Sequence, residues 1–251
     1  GAKVYAIDRN DIDLPVYKSI KGDLSTREGI DSVVSELPEK IDALFMCHGV
    51  ALIPEKEKFI QLVNFIGQKY MVEALLPRIL ENGSVSFISS SGGYGWENKI
   101  ELINEYINLN TFEEQVEWVE GHMPIFSEGY MSDSYCFSKQ CINAYVKSKV
   151  RSPEFINKKI RVNAIAPSYT ISGLTKDFNL AISQDGSEES GGKLMHDLFL
   201  KSWNGRPGTS EDMGYPLVMI GSNLFGYLSG QVIYIDFGMT GEMDYKNLLS
   251  K

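Results

Sequence analysis

Residues 41–49 read Ile-Asp-Ala-Leu-Phe-Met-Cys-His-Gly, and residues 84–93 read Ser-Val-Ser-Phe-Ile-Ser-Ser-Ser-Gly-Gly. Each is a short apolar run that stops in a polar or glycine turn, the pattern of a buried strand. Between them, residues 58–80 carry Phe59, Leu62, Val63, Ile66, Met71, Leu75 and Ile79 at helical spacing. Strand, helix and strand in this order make a βαβ unit, whose two strands run parallel. The alternation extends both ways. Val4–Ile7 reads as a strand closed by the polar turn Asp8-Arg9-Asn10-Asp11, and 16–18 as a weak strand. Ser25 and Glu28 form a capping-box pattern that opens a helix over 26–37. Further on come a helix over 133–150, a strand over 160–166 stopped by Pro167, a helix over 211–221 with Thr209–Asp212 as its cap, and a last strand over 231–236. The expected class is α/β, built on a parallel sheet, in one domain covering 1–251.

Two segments depart from tight connections. Residues 92–133 carry a second capping box, Thr111 to Glu114, and apolar Ile100, Ile103, Ile107, Phe112, Val116 and Val119. They read as one or two inserted helices. Residues 172–206 have a polar, glycine-rich middle at 183–193, which suits a mobile substrate flap.

Composition narrows the function. The 251 residues carry a net charge of −9, and 24 Lys and Arg against 33 Asp and Glu argue against a nucleic-acid or acidic-membrane partner. Cys47, Cys136 and Cys141 form no CxxC pair, which suits a reduced compartment, with the cytoplasm as the expected location. His48, His122 and His196 are scattered, so no metal centre is expected. No apolar run is long enough to span a bilayer.

Tyr135-Cys-Phe-Ser-Lys139 places a phenol and an ammonium four residues apart, on one helix face and about 6 Å apart along the axis. A free tyrosine has a pKa near 10 and is a poor acid or base at neutral pH, but a neighbouring cation favours the phenolate. Such a pair also arises by chance on helix surfaces. Its company gives it weight: Phe87-Ile-Ser-Ser-Ser-Gly-Gly93 and Asn163-Ala-Ile-Ala-Pro167-Ser168 end strands, Cys47-His-Gly49 ends a third, and Asn64 sits in the long helix.

In this order the features resemble the short-chain dehydrogenase/reductase family over residues 1–238. The long insertion before the tyrosine and the run Asp23-Leu-Ser-Thr-Arg-Glu-Gly29 look most like its bacterial 3α-hydroxysteroid dehydrogenase/carbonyl reductase group. The resemblance implies a Rossmann-like, doubly wound sheet with helices on both faces, and hydride transfer between NAD(H) and a secondary alcohol or ketone. Tyr135 would be the general acid/base. Lys139 would hold the nicotinamide ribose and lower the tyrosine pKa. Ser90 would hydrogen-bond the substrate carbonyl, with Ser89 and Ser91 as rivals, and Asn64 would hold a water of the proton relay. For the cofactor, Asp8 would accept from the adenosine-ribose hydroxyls and favour NAD over NADP, although Arg9 beside it softens that preference. Asp23 and Leu24 would border the adenine, Gly49 would allow backbone approach, and Pro167, Thr170 and Ser172 would run along the nicotinamide. The family usually has Pro-Gly where this chain has Pro167-Ser168, and Ala where it has His48, which reads as packed or cofactor-adjacent.

The family's T-G-x-x-x-G-x-G phosphate turn is absent from these residues. Asp8 has seven residues before it, whereas the acidic residue ordinarily lies about 20 beyond that turn. The first strand, the phosphate loop and most of the first helix are therefore expected to be missing. An omitted leading segment, a cut or misassigned start, and a natural homologue without dinucleotide binding all give this pattern. The retained Tyr135, Lys139, Ser90 and Asn64 favour the first two.

The leading expectation is an NAD-dependent alcohol or hydroxysteroid dehydrogenase acting on a small hydrophobic substrate, with a homo-dimer or homo-tetramer as its assembly. Trp96, Tyr169, Met195, Leu198, Phe199 and Trp203 supply apolar surface for a large flat ligand, or else core and subunit contacts. The alternatives are a non-catalytic scaffold that binds no dinucleotide, and a nucleotide-sugar epimerase or dehydratase, which shares the Tyr/Lys pair.

Overall fold

The computed structural model describes residues 1–126, 133–201 and 206–250. It is an α/β protein of parallel strands covered by helices. β1 (Tyr5–Asp8) pairs with β2 (Lys18–Lys21), so the second strand begins at the end of the expected 16–18 run. α1 (Arg27–Glu36) follows, and its cap is Thr26, whose hydroxyl accepts from the Gly29 N–H at 3.1 Å. Ser25 turns back instead and bonds Asp23, so the capping box read from Ser25 does not form.

β3 (Ile41–Met46) leads into a region expected as one helix. It divides into α2 (Glu57–Gln61), a π-helical turn (Leu62–Ile66), α3 (Gly67–Leu75) and a 3₁₀ turn (Leu76–Arg78). Pro77 explains the stop, since it has no N–H to continue the ladder. Ile79 then opens β4 (Ile79–Ile88), earlier than the apolar run suggested.

The insertion forms two helices, α4 (Ile100–Ile107) and α5 (Phe112–Gly121), the latter held by the Thr111–Glu114 capping box. They pack on α6 (Asp133–Lys149): Tyr106 and Trp118 stack against Phe137 of α6 at 5.8 and 6.0 Å. α7 (Pro153–Ile156), β5 (Arg161–Pro167), α8 (Thr175–Ile182), α9 (Glu188–Phe199), α10 (Ser210–Gly221), β6 (Val232–Ile235) and α11 (Met239–Leu249) complete the chain.

The stretch expected as an irregular flap is largely the hairpin of α8 and α9. Asp185 accepts from the Ser183 hydroxyl and from both the N–H and hydroxyl of Ser187, and Ser187 then caps α9 by accepting from Ser190 N. The polar composition supplies a turn and a cap, which is why it does not read as helix.

β3, β4, β5 and β6 form one parallel sheet in that order, and β1–β2 form another. Among the described residues no strand joins the two sheets. Phe45 of β3 is 37% exposed. Val162 and Ala164 of β5 join the main core with Phe65, Phe87 and Tyr145, while Ile165 meets Met213, Leu217 and Ile220 of α10 on the opposite face. Arg161 closes that second layer: its guanidinium donates to the carbonyls of Ile220, Gly221, Ser222 and Phe225, at the end of α10 and just beyond.

Candidate functional site

A cavity of about 1060 Å³ opens beyond the carboxyl ends of the strands, where ligands of open α/β sheets bind. The residue types singled out in the sequence converge on it from separate elements.

Tyr135 and Lys139 sit on one face of α6, and the Lys139 Nζ is 5.7 Å from the centre of the Tyr135 ring. That ammonium donates to the Ile88 carbonyl at 3.0 Å, at the end of β4. Ser90 follows β4, accepts from Gly92 N at 3.1 Å and lowers the Tyr135 pKa; a Cβ on Gly92 would stand 3.4 Å from the Tyr135 ring and 3.5 Å from the Ser90 Oγ, so the two side chains meet there. Of its rivals, Ser89 donates to Asn143 Oδ1 at 2.6 Å and is spent inside the fold, and Ser91 lines the cavity. The structure thus brings Ser90, Tyr135 and Lys139 together.

Asn64 is fully buried. Its Oδ1 accepts from Val50 N at 2.7 Å and its Nδ2 donates to Val50 O at 3.0 Å. The side chain is a clamp on the loop after β3, so a water would have to use other atoms. Asn64 lies in the π-helical turn, a local irregularity often found at functional sites.

The electrostatics also differ from the simple pairing argument. Burial pushes the Tyr135 phenol up to about 12, against a smaller lowering by Ser90. Burial lowers Lys139 to about 8. Desolvation dominates, so the phenol holds its proton through the neutral range.

The residues expected to meet a cofactor line the same cavity. Asp8 ends β1 and accepts from Asn10 N at 2.8 Å. Asp23 accepts from Ser25 N and Oγ, which lower its pKa. Leu24 is buried beside it. Pro167 ends β5, Thr170 Oγ1 donates to Ser168 O at 3.0 Å, and Ser172 Oγ accepts from Leu174 N at 3.2 Å. His48 lines the trough as a neutral ring, pushed down to about 4 by burial and then by Lys139.

These residues fit a nicotinamide dinucleotide over part of its length. A Cβ on Gly49 would stand 3.3 Å from Asn64 Oδ1 and 3.8 Å from Lys139 Nζ, so the glycine keeps a cradle open between the strand end and the ammonium. No group of His, Cys, Asp or Glu that could hold a metal occurs among the described residues. No described helix is long and apolar enough to cross a membrane.

Of the expected apolar substrate residues, Tyr169, Met195 and Phe199 line the cavity. Trp96 packs against the main core and Leu198 is 49% exposed. Trp203 lies outside the described residues. Pattern reading missed Phe59, Phe178, Met213, Met239 and Met243, which also line it. Phe59 carried a helical-period signal, but nothing in one sequence tells a cavity wall from core.

Comparison with known proteins agrees with this geometry. Residues 126–240 match the family described as enoyl-(acyl carrier protein) reductase. The chain is 28% identical over 240 residues to coniferyl-alcohol dehydrogenase of Pseudomonas sp. (strain HR199 / DSM 7063), covering 95% of this chain and 87% of that one. Its fold is similar to the 3-alpha-hydroxysteroid dehydrogenase from Pseudomonas sp. B-0831 complexed with NADH, at a TM-score of 0.74 and 17% identity, over 96% and 88% of the two chains. It is also similar to a structure assigned as an NAD(P)-dependent gluconate 5-dehydrogenase from Beutenbergia cavernae with bound NADP, at a TM-score of 0.62 and 19% identity, over 89% and 77%. Fold and comparisons agree in a Rossmann-like α/β architecture. The chain is similar to oxidoreductases of the short-chain dehydrogenase/reductase family.

Proposed function

We propose that the protein interconverts a secondary alcohol and a ketone with NAD(H), on a neutral, bulky, apolar substrate of hydroxysteroid type. The observation that carries this reading is the convergence of three side chains on the large cavity: a Cβ on Gly92 would stand 3.4 Å from the Tyr135 ring and 3.5 Å from the Ser90 Oγ, with Lys139 one helical turn away from the phenol.

Bound nicotinamide dinucleotide supplies or accepts the hydride at the substrate carbon. The chain's own residues handle the oxygen. In the reducing direction the phenolic O–H of Tyr135 donates its proton to the developing alkoxide, and Ser90 donates a hydrogen bond to the same atom. Donors preorganised toward developing charge stabilise the transition state by several kcal/mol. Lys139 holds positive charge beside the ring and has donor capacity beyond its bond to Ile88. Asp8, at the far end, accepts from ribose hydroxyls and repels a 2′-phosphate, which supports NAD over NADP.

The substrate class follows from charge. Among the described residues lining the cavity, the Lys and Arg side chains are Arg9 and Lys139. Arg9 lies beside Asp8 and Lys139 beside the phenol, so a carboxylate or phosphate on the substrate finds no counter-charge. Phe59, Phe178, Phe199, Met195, Met213 and Met243 offer aromatic and thioether surface to flat rings. The reading also takes the chain as one domain, with 92–133 as insertion and 172–206 as substrate flap, working in a homo-oligomer in the cytoplasm.

Calorimetry with NADH and NADPH, followed by turnover of NAD with neutral cyclic alcohols and with acidic ones, tests this. Binding of NADH and oxidation of the neutral set are expected. A chain that binds neither dinucleotide is the scaffold alternative, and preference for acidic alcohols contradicts the substrate class.

A further inference from the structure

We propose that Phe178 is a positioning residue: carried by α8, its ring closes on the Tyr135 ring, shuts water from the phenol and holds it toward Ser90. The proposal rests on the reaction assigned above to Tyr135, and it adds a residue outside the Ser90, Tyr135 and Lys139 group.

Three observations meet here. Phe178 and Tyr135 stand edge to face, with ring centres 5.1 Å apart and planes at 83°. Tyr135 is 9% exposed and shares a cluster with Val50, Leu52 and Ile60, against which Phe178 and Ala181 of α8 also pack. The phenol is thus sealed on one side by the loop after β3 and α2, and on the other by α8. Edge-to-face pairs of this kind have a preferred geometry, so the contact orients the ring as well as covering it.

α8 can hold that position because it is braced. A Cβ on Gly191 would overlap the Asn179 carbonyl, so α9 lies directly against α8 only because that residue is glycine. The chain entering and leaving this hairpin is tied by a bridge: Gly208 N donates to Tyr169 O at 3.0 Å, and Ile171 N donates to Gly208 O at 2.9 Å. Phe178 therefore sits on a two-helix unit clasped at its base.

Titratable groups line the cavity from several elements: α6 brings Lys139 and Cys136, α8 brings Asp177, the end of β3 brings Cys47 and His48, β1 and its turn bring Asp8 and Arg9, the turn after β2 brings Asp23, and the chain after β4 and β5 brings Tyr94 and Tyr169. Of these, Lys139 stands beside the Tyr135 ring and Cys136 raises the phenol's pKa. The loop after β3, α2 and the π-helical turn bring Val50, Ile53, Phe59 and Val63 to the cavity wall. None of the charged groups changes when Phe178 is cut back, so a change in the phenol's titration reports the loss of cover.

The test is nuclear magnetic resonance of protein labelled at the tyrosine ring carbon that bears oxygen, with Tyr135→Phe assigning the signal. Wild type is expected to keep Tyr135 as phenol at about pH 10.5, because burial holds the phenol up to about 12. Phe178→Ala is expected to shift the midpoint down by about one unit, so the signal moves toward phenolate. Phe178→Leu keeps apolar cover and is expected to fall between; it also serves if the alanine variant does not fold. Leu180→Ala, at an exposed position of α8, is expected to leave the titration unchanged. In turnover, Phe178→Ala is expected to lower kcat for ketone reduction about threefold to tenfold with little change in NADH affinity. Unchanged titration in both Phe178 variants overturns the proposal while leaving the reaction of Tyr135 standing. Absence of turnover in wild type overturns the reaction and this role together.

Discussion

Ser90 and Tyr135 meet at Gly92, where an added Cβ would stand 3.5 Å from the Ser90 Oγ and 3.4 Å from the Tyr135 ring, although one follows a strand and the other lies 45 positions later on a helix. The 3₁₀ turn Ser91–Gly93 makes this possible: Asn143 of α6 donates to Gly93 O at 2.9 Å and accepts from Ser89, fixing the strand end against the helix.

Ser90→Ala is expected to lower kcat by about 10- to 1000-fold, the range for losing one donor to a developing oxyanion. Ser89→Ala should instead lower the melting temperature, since it breaks a buried bond to Asn143. Steady-state rates and thermal melts on both variants separate the roles; equal rate losses would contradict the assignment.

Lys139 predicts a pH signature of stability. Its folded pKa is lowered to about 8, below the ordinary 10.5. The unfolded chain therefore binds more protons between those values, and stability rises with pH across that window. Below about pH 8 the full cost of burying the ammonium is present, on the order of 3 kcal/mol at most. Urea midpoints at about pH 7.5 and 10 should diverge in wild type relative to Lys139→Met. Parallel behaviour of the two proteins would count against the burial argument.

Asp8→Ala should weaken NADH and strengthen NADPH, changing their affinity ratio by about 10-fold or more, because one carboxylate both accepts from ribose and repels a 2′-phosphate. Calorimetric titration of both nucleotides reads this. No change in the ratio would place the selectivity elsewhere, with Arg9 the neighbouring candidate.

Arg161→Ala removes donors from four carbonyls at and beyond the end of α10. Gly221, Ser222 and Phe225 keep donors in Ser84 Oγ, Phe225 N and Leu228 N, so a loss of about 1–3 kcal/mol is expected, chiefly from the Ile220 carbonyl, measured by denaturant unfolding. Dinucleotide affinity should hold, since Arg161 does not line the cavity.

The strands were legible because apolar runs such as 160–166 end in residues that cannot continue them. The inserted helices were legible through Thr111 and Glu114, a cap with a mechanism. Three features were hidden. The division of 58–80 into α, π and 3₁₀ segments leaves the apolar spacing intact. The α8–α9 hairpin hid behind the polar turn that Asp185 and Ser187 need. The phenol's environment depends on Phe178 and on the loop after β3, neither near Tyr135 in sequence. Tyr135 and Lys139 were visible as a helical pair; which serine they meet was decided by the fold, and Asn64 turned out to hold Val50.

The central claim is that the Tyr135 O–H delivers the proton when a ketone is reduced. Single-turnover oxidation of bound NADH by a neutral cyclic ketone, followed in wild type and Tyr135→Phe, tests it most directly. The account predicts a rate loss of about 100- to 10,000-fold in the variant, with NADH affinity and melting temperature close to wild type. A variant that turns over at the wild-type rate would contradict it.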